Sequence, residues 1–104
     1  MWNKENNKIS MTKGDYGIAL PITITGIEIE SGEQIIFYLK KTNNEEVLKK
    51  IFENLKDNTF DLEFTKEESE RLEIGTYLYN IDWYKENVFL GNIVKNEIFE
   101  ISER

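Results

Sequence analysis

The sequence predicts an all-β domain, an antiparallel sandwich of about seven short strands with one short helical turn near residues 66–72. Three observations carry that expectation. Apolar and polar residues alternate with period two in several separate stretches. Turn residues interrupt those stretches roughly every 8–12 positions, the spacing of sandwich strands. A single segment, Thr65-Lys66-Glu67-Glu68, carries the signature of a helix N-terminus.

Residues 1–8 are polar and read as a flexible arm ahead of a domain over 9–104. Trp2 is out of place on such an arm. Its ring either folds back over an edge of the core or meets a neighbouring subunit, since a large aromatic gains nothing in water. Gly14-Asp15-Tyr16-Gly17 is a turn. Ile18, Leu20, Ile22 and Ile24 then alternate with Ala19, Pro21, Thr23 and Thr25, a half-buried strand. Pro21 has no N–H for a ladder, so this strand has a free edge or a bulge there. After Ser31-Gly32, residues 34–41 form a second strand with Ile35, Phe37 and Leu39 on one face. Ile36 and Tyr38 make the opposite face more apolar than solvent requires.

Thr42-Asn43-Asn44 turns the chain. Val47, Leu48, Ile51, Phe52 and Leu55 then fall at helical spacing behind Glu45 and Glu46. Periodicity alone favours a helix over 45–55, with a bulged strand as the alternative. Phe60, Leu62 and Phe64 alternate with Asp61 and Glu63. Thr65 and Glu68 form a capping box, each side chain satisfying a free backbone N–H of a helical turn from Lys66 to about Leu72. Gly75 ends it. Tyr77, Tyr79, Ile81 and Trp83 alternate with Leu78, Asn80, Asp82 and Tyr84. Lys85-Glu86-Asn87 is a hairpin turn, and a last strand from about Val88 to Ile101, bent near Gly91, uses Ile98, Phe99 and Ile101 as apolar positions. The expected core is Ile18, Leu20, Ile22, Ile24, Ile35, Phe37, Leu39, Phe60, Leu62, Phe64, Tyr77, Tyr79, Ile81 and Trp83.

Composition removes much of chemistry. The 104 residues include no Cys and no His. Disulfides, thiolate nucleophiles, imidazole acid–base pairs and the common transition-metal sites are therefore absent. Carboxylates are plentiful, but Asp15, Asp57, Asp61 and Asp82 sit in no paired or metal-loop motif and read as solvated surface. No catalytic residue, metal or other cofactor is expected. Thirteen Lys and Arg stand against twenty Asp and Glu, a net charge of -7. That charge disfavours nucleic acid and anionic membranes as partners. The cluster Lys40-Lys41 with Lys49-Lys50 reads as a pairing and solubility feature. Residues 1–10 contain no apolar signal-peptide core, and no run approaches the roughly 20 apolar residues of a membrane span. Synthesis in a cytoplasm without signal-directed secretion is expected.

Leu72-Glu73-Ile74-Gly75-Thr76-Tyr77 has the spacing of a tyrosine corner. Leu72, Gly75 and Tyr77 would pin the crossing between two sheets, with the Tyr77 hydroxyl bonded to backbone a few residues upstream. Phe64 to Asp82 as a whole resembles a signature of small Ig-like proteins and domains of tailed phages and prophages: Leu-Thr, a short acidic turn, then Leu-x-x-Gly-x-Tyr-x-Tyr-Asp-Ile. Met11-Thr12-Lys13-Gly14-Asp15 is similar to the opening of such domains, Ile35 to Lys41 to their next strand, and Asn92 to Ser102 to their closing strand. Glu68-Ser69 departs from the usual Asp-Thr, and Asn80 from the usual Asp. Relatives of this kind include the N-terminal domain of upper-baseplate proteins.

The resemblance implies an Ig-like sandwich in which residues 45–55 form a strand pairing back on its predecessor. It also implies a non-enzymatic virion component of tail or baseplate. Its partners would be other tail or baseplate proteins and further copies of itself. Trp2, Ile36, Tyr38 and Tyr84 are the residues expected to meet them. Two other functions compete: a small-ligand or carbohydrate-binding module using the outward Tyr38 and Tyr84, and an acidic cytoplasmic inhibitor or immunity protein. Fold class does not separate them. The untagged chain is expected to show no micromolar affinity for zinc, nickel or copper in isothermal titration. Micromolar binding of any of the three contradicts this reading.

Overall fold

The period-two stretches fold as strands. A computed structural model describes residues 3–5, as backbone only, 7–17 and 19–103. Among the described residues the elements are β1 (Asn3–Glu5), β2 (Lys8–Thr12), β3 (Leu20–Thr23), β4 (Glu33–Lys41), β5 (Glu46–Glu53), β6 (Thr59–Leu62), α1 (Lys66–Arg71), β7 (Gly75–Lys85) and β8 (Val88–Ser102). Six strands make one curled, half-barrel sheet in the order β1-β2-β8-β7-β4-β5, and β3 with β6 make a separate two-stranded ladder. The fold is all-β with one short helix.

The sheet is mixed, which corrects the expectation of antiparallel pairing throughout. β2 runs parallel to the C-terminal part of β8, with Ile9 opposite Phe99 and Met11 opposite Ile101. Parallel neighbours need a long crossover, and the whole chain from β3 to β7 supplies it. Burial of Ile9 and Met11 beside Phe99 and Ile101 stabilises the pairing. Two apolar residues in a polar stretch are too few to show as a period. Among the described residues the strands number eight, since Asn3–Glu5, within the expected arm, pair antiparallel with β2.

Ile22, Ile24, Ile35, Phe37, Leu39, Phe60, Leu62, Phe64, Tyr77, Tyr79 and Ile81 are buried as expected, while Leu20 and Trp83 pack against the core half-covered. Ile18 lies outside the described residues. Ile9, Met11, Ile29, Leu72, Phe99 and Ile101 complete the core. Its centre is a ring cluster. Phe37 stacks on Tyr79 at 5.6 Å, Phe99 meets Tyr79 edge-on at 6.4 Å, and Phe64 lies 5.9 Å from Phe99. Such pairs contribute about 0.5–1.5 kcal/mol each beyond burial.

Residues 46–53 are a strand, β5, despite their helical spacing. β4 carries the fully buried Ile35, Phe37 and Leu39, and its second edge needs backbone partners. β5 provides them along its length, from Gln34 opposite Glu53 to Lys40 opposite Glu46. The five apolar residues therefore divide between two faces, and Ile51 ends up outside. In β3 the Ile24 N–H donates to the Asn58 carbonyl at 2.9 Å. The alternation then directs the Pro21 nitrogen to the unpaired edge, where its missing hydrogen costs nothing.

Helix α1 has the expected capping box. The Glu68 N–H donates to Thr65 Oγ1 at 3.1 Å, and the Thr65 N–H donates to Glu68 Oε1 at 2.9 Å. Lys50 Nζ adds a third bond to Glu68 Oε1 at 2.8 Å. At the other end Lys13 Nζ donates to the carbonyls of Leu72 at 2.6 Å and Glu70 at 3.1 Å. A cation at the C-terminal carbonyls satisfies orphan acceptors and opposes the helix dipole favourably. Asp15 holds Lys13 in place by closing its turn, accepting from the Thr12 N–H at 3.2 Å.

Leu72, Gly75 and Tyr77 lie where the chain leaves α1 for β7. The Tyr77 hydroxyl donates to the Glu73 carbonyl at 2.9 Å, Leu72 is buried, and Gly75 has φ of 148° with open space where a Cβ would sit. Asn58, which reads in sequence only as turn material, staples a loop. Its Nδ2 donates to the Ile27 carbonyl at 2.7 Å, and its Oδ1 accepts the Ile29 N–H at 3.0 Å.

Three substitutions test this framework in urea melts. Tyr77→Phe is expected to cost about 1 kcal/mol for one hydrogen bond. Gly75→Ala should cost about 1–3 kcal/mol from backbone conformation alone. Asn58→Ala removes the side-chain partner of two carbonyls, Ile24 and Ile27, and of the Ile29 N–H, and should cost about 2–3 kcal/mol. Wild-type midpoints for all three would contradict the assignments.

Candidate functional site

β4 and β7 are neighbours, so their outward residues form one surface on the convex side of the curled sheet. Ile36 stands opposite Asp82, Tyr38 opposite Asn80, and Tyr84 opposite Gln34. Three of the four expected contact residues, Ile36, Tyr38 and Tyr84, are thus brought together. Trp2 lies outside the described residues.

Tyr38 and Tyr84 stand at opposite ends of the Ile36–Asp82 pair, with their phenols near enough for Tyr84 to raise the Tyr38 pKa. The pair between them is largely shut off from solvent. Ile36, expected as free apolar surface, is only 6% exposed. Asp82, expected on a solvated face, is 8% exposed and accepts from Asn92 Nδ2 at 2.6 Å. Both readings are corrected by the same cause: alternation identifies the outward face but not what lies down across it.

The Tyr38 hydroxyl is pushed up to about 12, first by burial, then by the bond to Tyr84 and the charges of Tyr84, Asp82 and Glu46. Lys49 Nζ sits 5.7 Å from the Tyr38 ring centroid, a cation–π contact. Lys41 pairs with Glu45 at 3.4 Å and Lys50 with Glu68 at 2.8 Å. Three members of the basic cluster are thus spent on internal partners. For Glu68, burial opposes ionisation, but the bonds from Lys50 and Thr65 and the charge of Lys50 outweigh it and lower its pKa.

The surface continues past Tyr84 to the tip of the β7–β8 hairpin. Glu86 and Asn87 both have positive φ, 49° and 66°, the form of a two-residue hairpin turn. Directly after it Val88, Phe89 and Leu90 are 60%, 50% and 42% exposed. Phe89 packs edge-on against Tyr84 at 5.5 Å. Sequence reading took these three only as the start of a strand. The signal was present, because three consecutive apolar residues cannot all face inward on a period-two strand. Among the described residues β8 has no second neighbour before Phe99, and its register against β7 breaks at three places. Bulges of that kind twist an edge away from flat pairing. Other free edges are guarded by Pro21 in β3, by lysines in β5 and by shortness in β1 and β6. The tip is exposed through side chains rather than through a flat edge.

Among the described residues no cluster of carboxylates could hold a metal ion, and no helix is long and apolar enough to cross a membrane. A pocket of about 460 Å³ opens between β5 and β6, lined in part by Tyr16, Lys50, Phe52, Asp61, Glu63 and Phe64. Lys50 is already held there by Glu68.

The buried Tyr79 hydroxyl, which donates to the Asn7 carbonyl, is likewise pushed up to about 12, by burial and then by the charge of Glu97. Folded, Tyr38 and Tyr79 keep their protons to about pH 12, whereas unfolded tyrosines ionise near 10. The stability they contribute is intact below about pH 10 and lost as pH rises through about 12. Urea midpoints measured across that window should fall with rising pH, and fall less in Tyr79→Phe. Midpoints flat across the window contradict both assignments.

Comparison with protein-family models, with curated proteins and with solved structures finds no match to this chain.

Proposed function

We propose that this chain is a non-enzymatic structural and interaction component of a phage or prophage particle, in its tail or baseplate. On this reading the fold is Ig-like. The sheet order β2-β8-β7-β4-β5 facing β3-β6 supports it, as does the Tyr77 hydroxyl bound back to Glu73. So does the resemblance of Phe64–Asp82 and its flanking strands to phage-borne Ig-like domains. The chain joins the virion on assembly, contacting other tail or baseplate proteins and further copies of itself.

The observation that carries an assembly role is the apolar tip. Val88, Phe89 and Leu90 stand exposed together at one end of the domain, with Tyr84 behind Phe89. Contiguous apolar surface on a small acidic chain marks a contact with another protein. The charge of -7 keeps the unassembled chain soluble.

The test is co-purification from cells that express the genes neighbouring this one, using wild type beside a Phe89→Glu plus Leu90→Lys variant. Wild type is expected in the assembled particle. The variant is expected to stay free with an unchanged melting curve. Absence of wild type from every assembled particle overturns the proposal and favours the soluble-inhibitor alternative.

A further inference from the structure

The covered face of β4 and β7 holds a second feature, separate from the hairpin tip. Beside Tyr38 is a pocket of about 240 Å³ lined by Tyr38, Lys40, Asn44, Glu46, Asn80 and Asp82. Asp82 is a nearly buried carboxylate on the outside of a sheet, where alternation calls for solvent. One of its oxygens takes the bond from Asn92. The other is not one of the buried atoms left without a partner, so it stays open to solvent at the pocket.

We propose that this pocket binds a saccharide, seating one sugar ring. The lining supplies both halves of the hydrogen-bond inventory that a hydroxyl needs. Asp82 and Glu46 accept. Lys40 donates, and Asn80 has its Oδ1 taken by the Asn96 N–H at 2.9 Å, which leaves its Nδ2 hydrogens to donate. Asn44, at φ of 72° in the β4–β5 turn, brings a further amide to the rim. Two carboxylates disfavour an anion. A lysine and donor amides disfavour a simple cation. A neutral polyol, in which each hydroxyl gives and accepts, matches this mixture. The Tyr38 ring is the one apolar wall, suited to the C–H face of a sugar. Lys49 Nζ, 5.7 Å from its centroid, helps to hold it before binding. This inference stands apart from the assembly role and uses none of Val88, Phe89 or Leu90.

The experiment is a titration of the isotope-labelled full chain followed by backbone amide NMR. The probes are the methyl glycosides of glucose, galactose, mannose, rhamnose and N-acetylglucosamine, with glycine and inorganic phosphate as zwitterionic and anionic comparisons. At least one glycoside is expected to give saturable millimolar shifts centred on Tyr38, Lys40, Asn80 and Asp82, with neither comparison ligand doing so. Lys40→Ala and Asn80→Ala should each weaken that binding by about tenfold. Lys40 is a surface substitution, so its effect is readable even if Asn80→Ala loosens the fold. The inference is overturned if no glycoside shifts these amides, if shifts centre elsewhere, if glycine or phosphate binds equally well, or if Lys40→Ala binds as wild type does.

Discussion

Four rings hold the two sheets together. Tyr79, on the middle strand of the half-barrel, stacks on Phe37 of β4 and meets Phe99 of β8, while Phe99 also packs on Phe64 at the end of the small ladder. Through its hydroxyl Tyr79 further binds the Asn7 carbonyl in the β1–β2 turn. One side chain thus couples three adjacent strands to the N-terminal hairpin. The polar end of the ring would be a liability in the core without that carbonyl, because a buried phenol needs an acceptor. The parallel pairing of β2 with β8 follows from the same cluster: placing Phe99 beside Tyr79 leaves a flank that Ile9 and Met11 cover.

Helix α1 has only six residues, too few to be stable alone. It persists because both ends are held from elsewhere. Lys50 from β5 reaches the carboxylate that caps its start, and Lys13 from the loop after β2 reaches the carbonyls at its end. The Lys13-Gly14-Asp15 segment therefore has a mechanical reason for its residue types: a cation for the helix end, a turn at φ of 91°, and a carboxylate that closes the turn. Tyr77 then anchors the chain as it leaves the helix for β7. The connection between sheets is fixed at three points within a dozen residues or so, a spacing that favours cooperative rather than piecemeal unfolding.

The outer surface divides into two regions of opposite character. Near Asp82 the sheet is covered by its own tyrosines and polar groups, so its apolar residue Ile36 is spent internally. At the hairpin tip Phe89 packs on Tyr84 and, among the described residues, stays half exposed. The first region has the polarity to hold a small hydrophilic molecule, and the second has the apolar exposure of a protein contact. Both lie on β7 and its neighbours, and β7 is paired on both sides, by β4 and by β8.

Local physics decided what the sequence could reveal. Period-two alternation in 59–64 and 77–84, the capping box at Thr65 and the Leu72–Gly75–Tyr77 spacing depend on neighbours within a few residues, and all are present in the structure. Absence of His and Cys removes imidazole and thiolate chemistry whatever the fold. Tertiary structure alone decided the rest. β5 is a strand because β4 has an edge to satisfy, which its helical spacing could not register. β2 lies parallel to β8 because the chain's two ends meet at Phe99, some ninety residues apart in sequence. Ile36 and Asp82 are covered because they face each other between Tyr38 and Tyr84, which stand on different strands. A sequence pattern assigns a side chain to a face, but only the packed neighbours determine whether that face meets water.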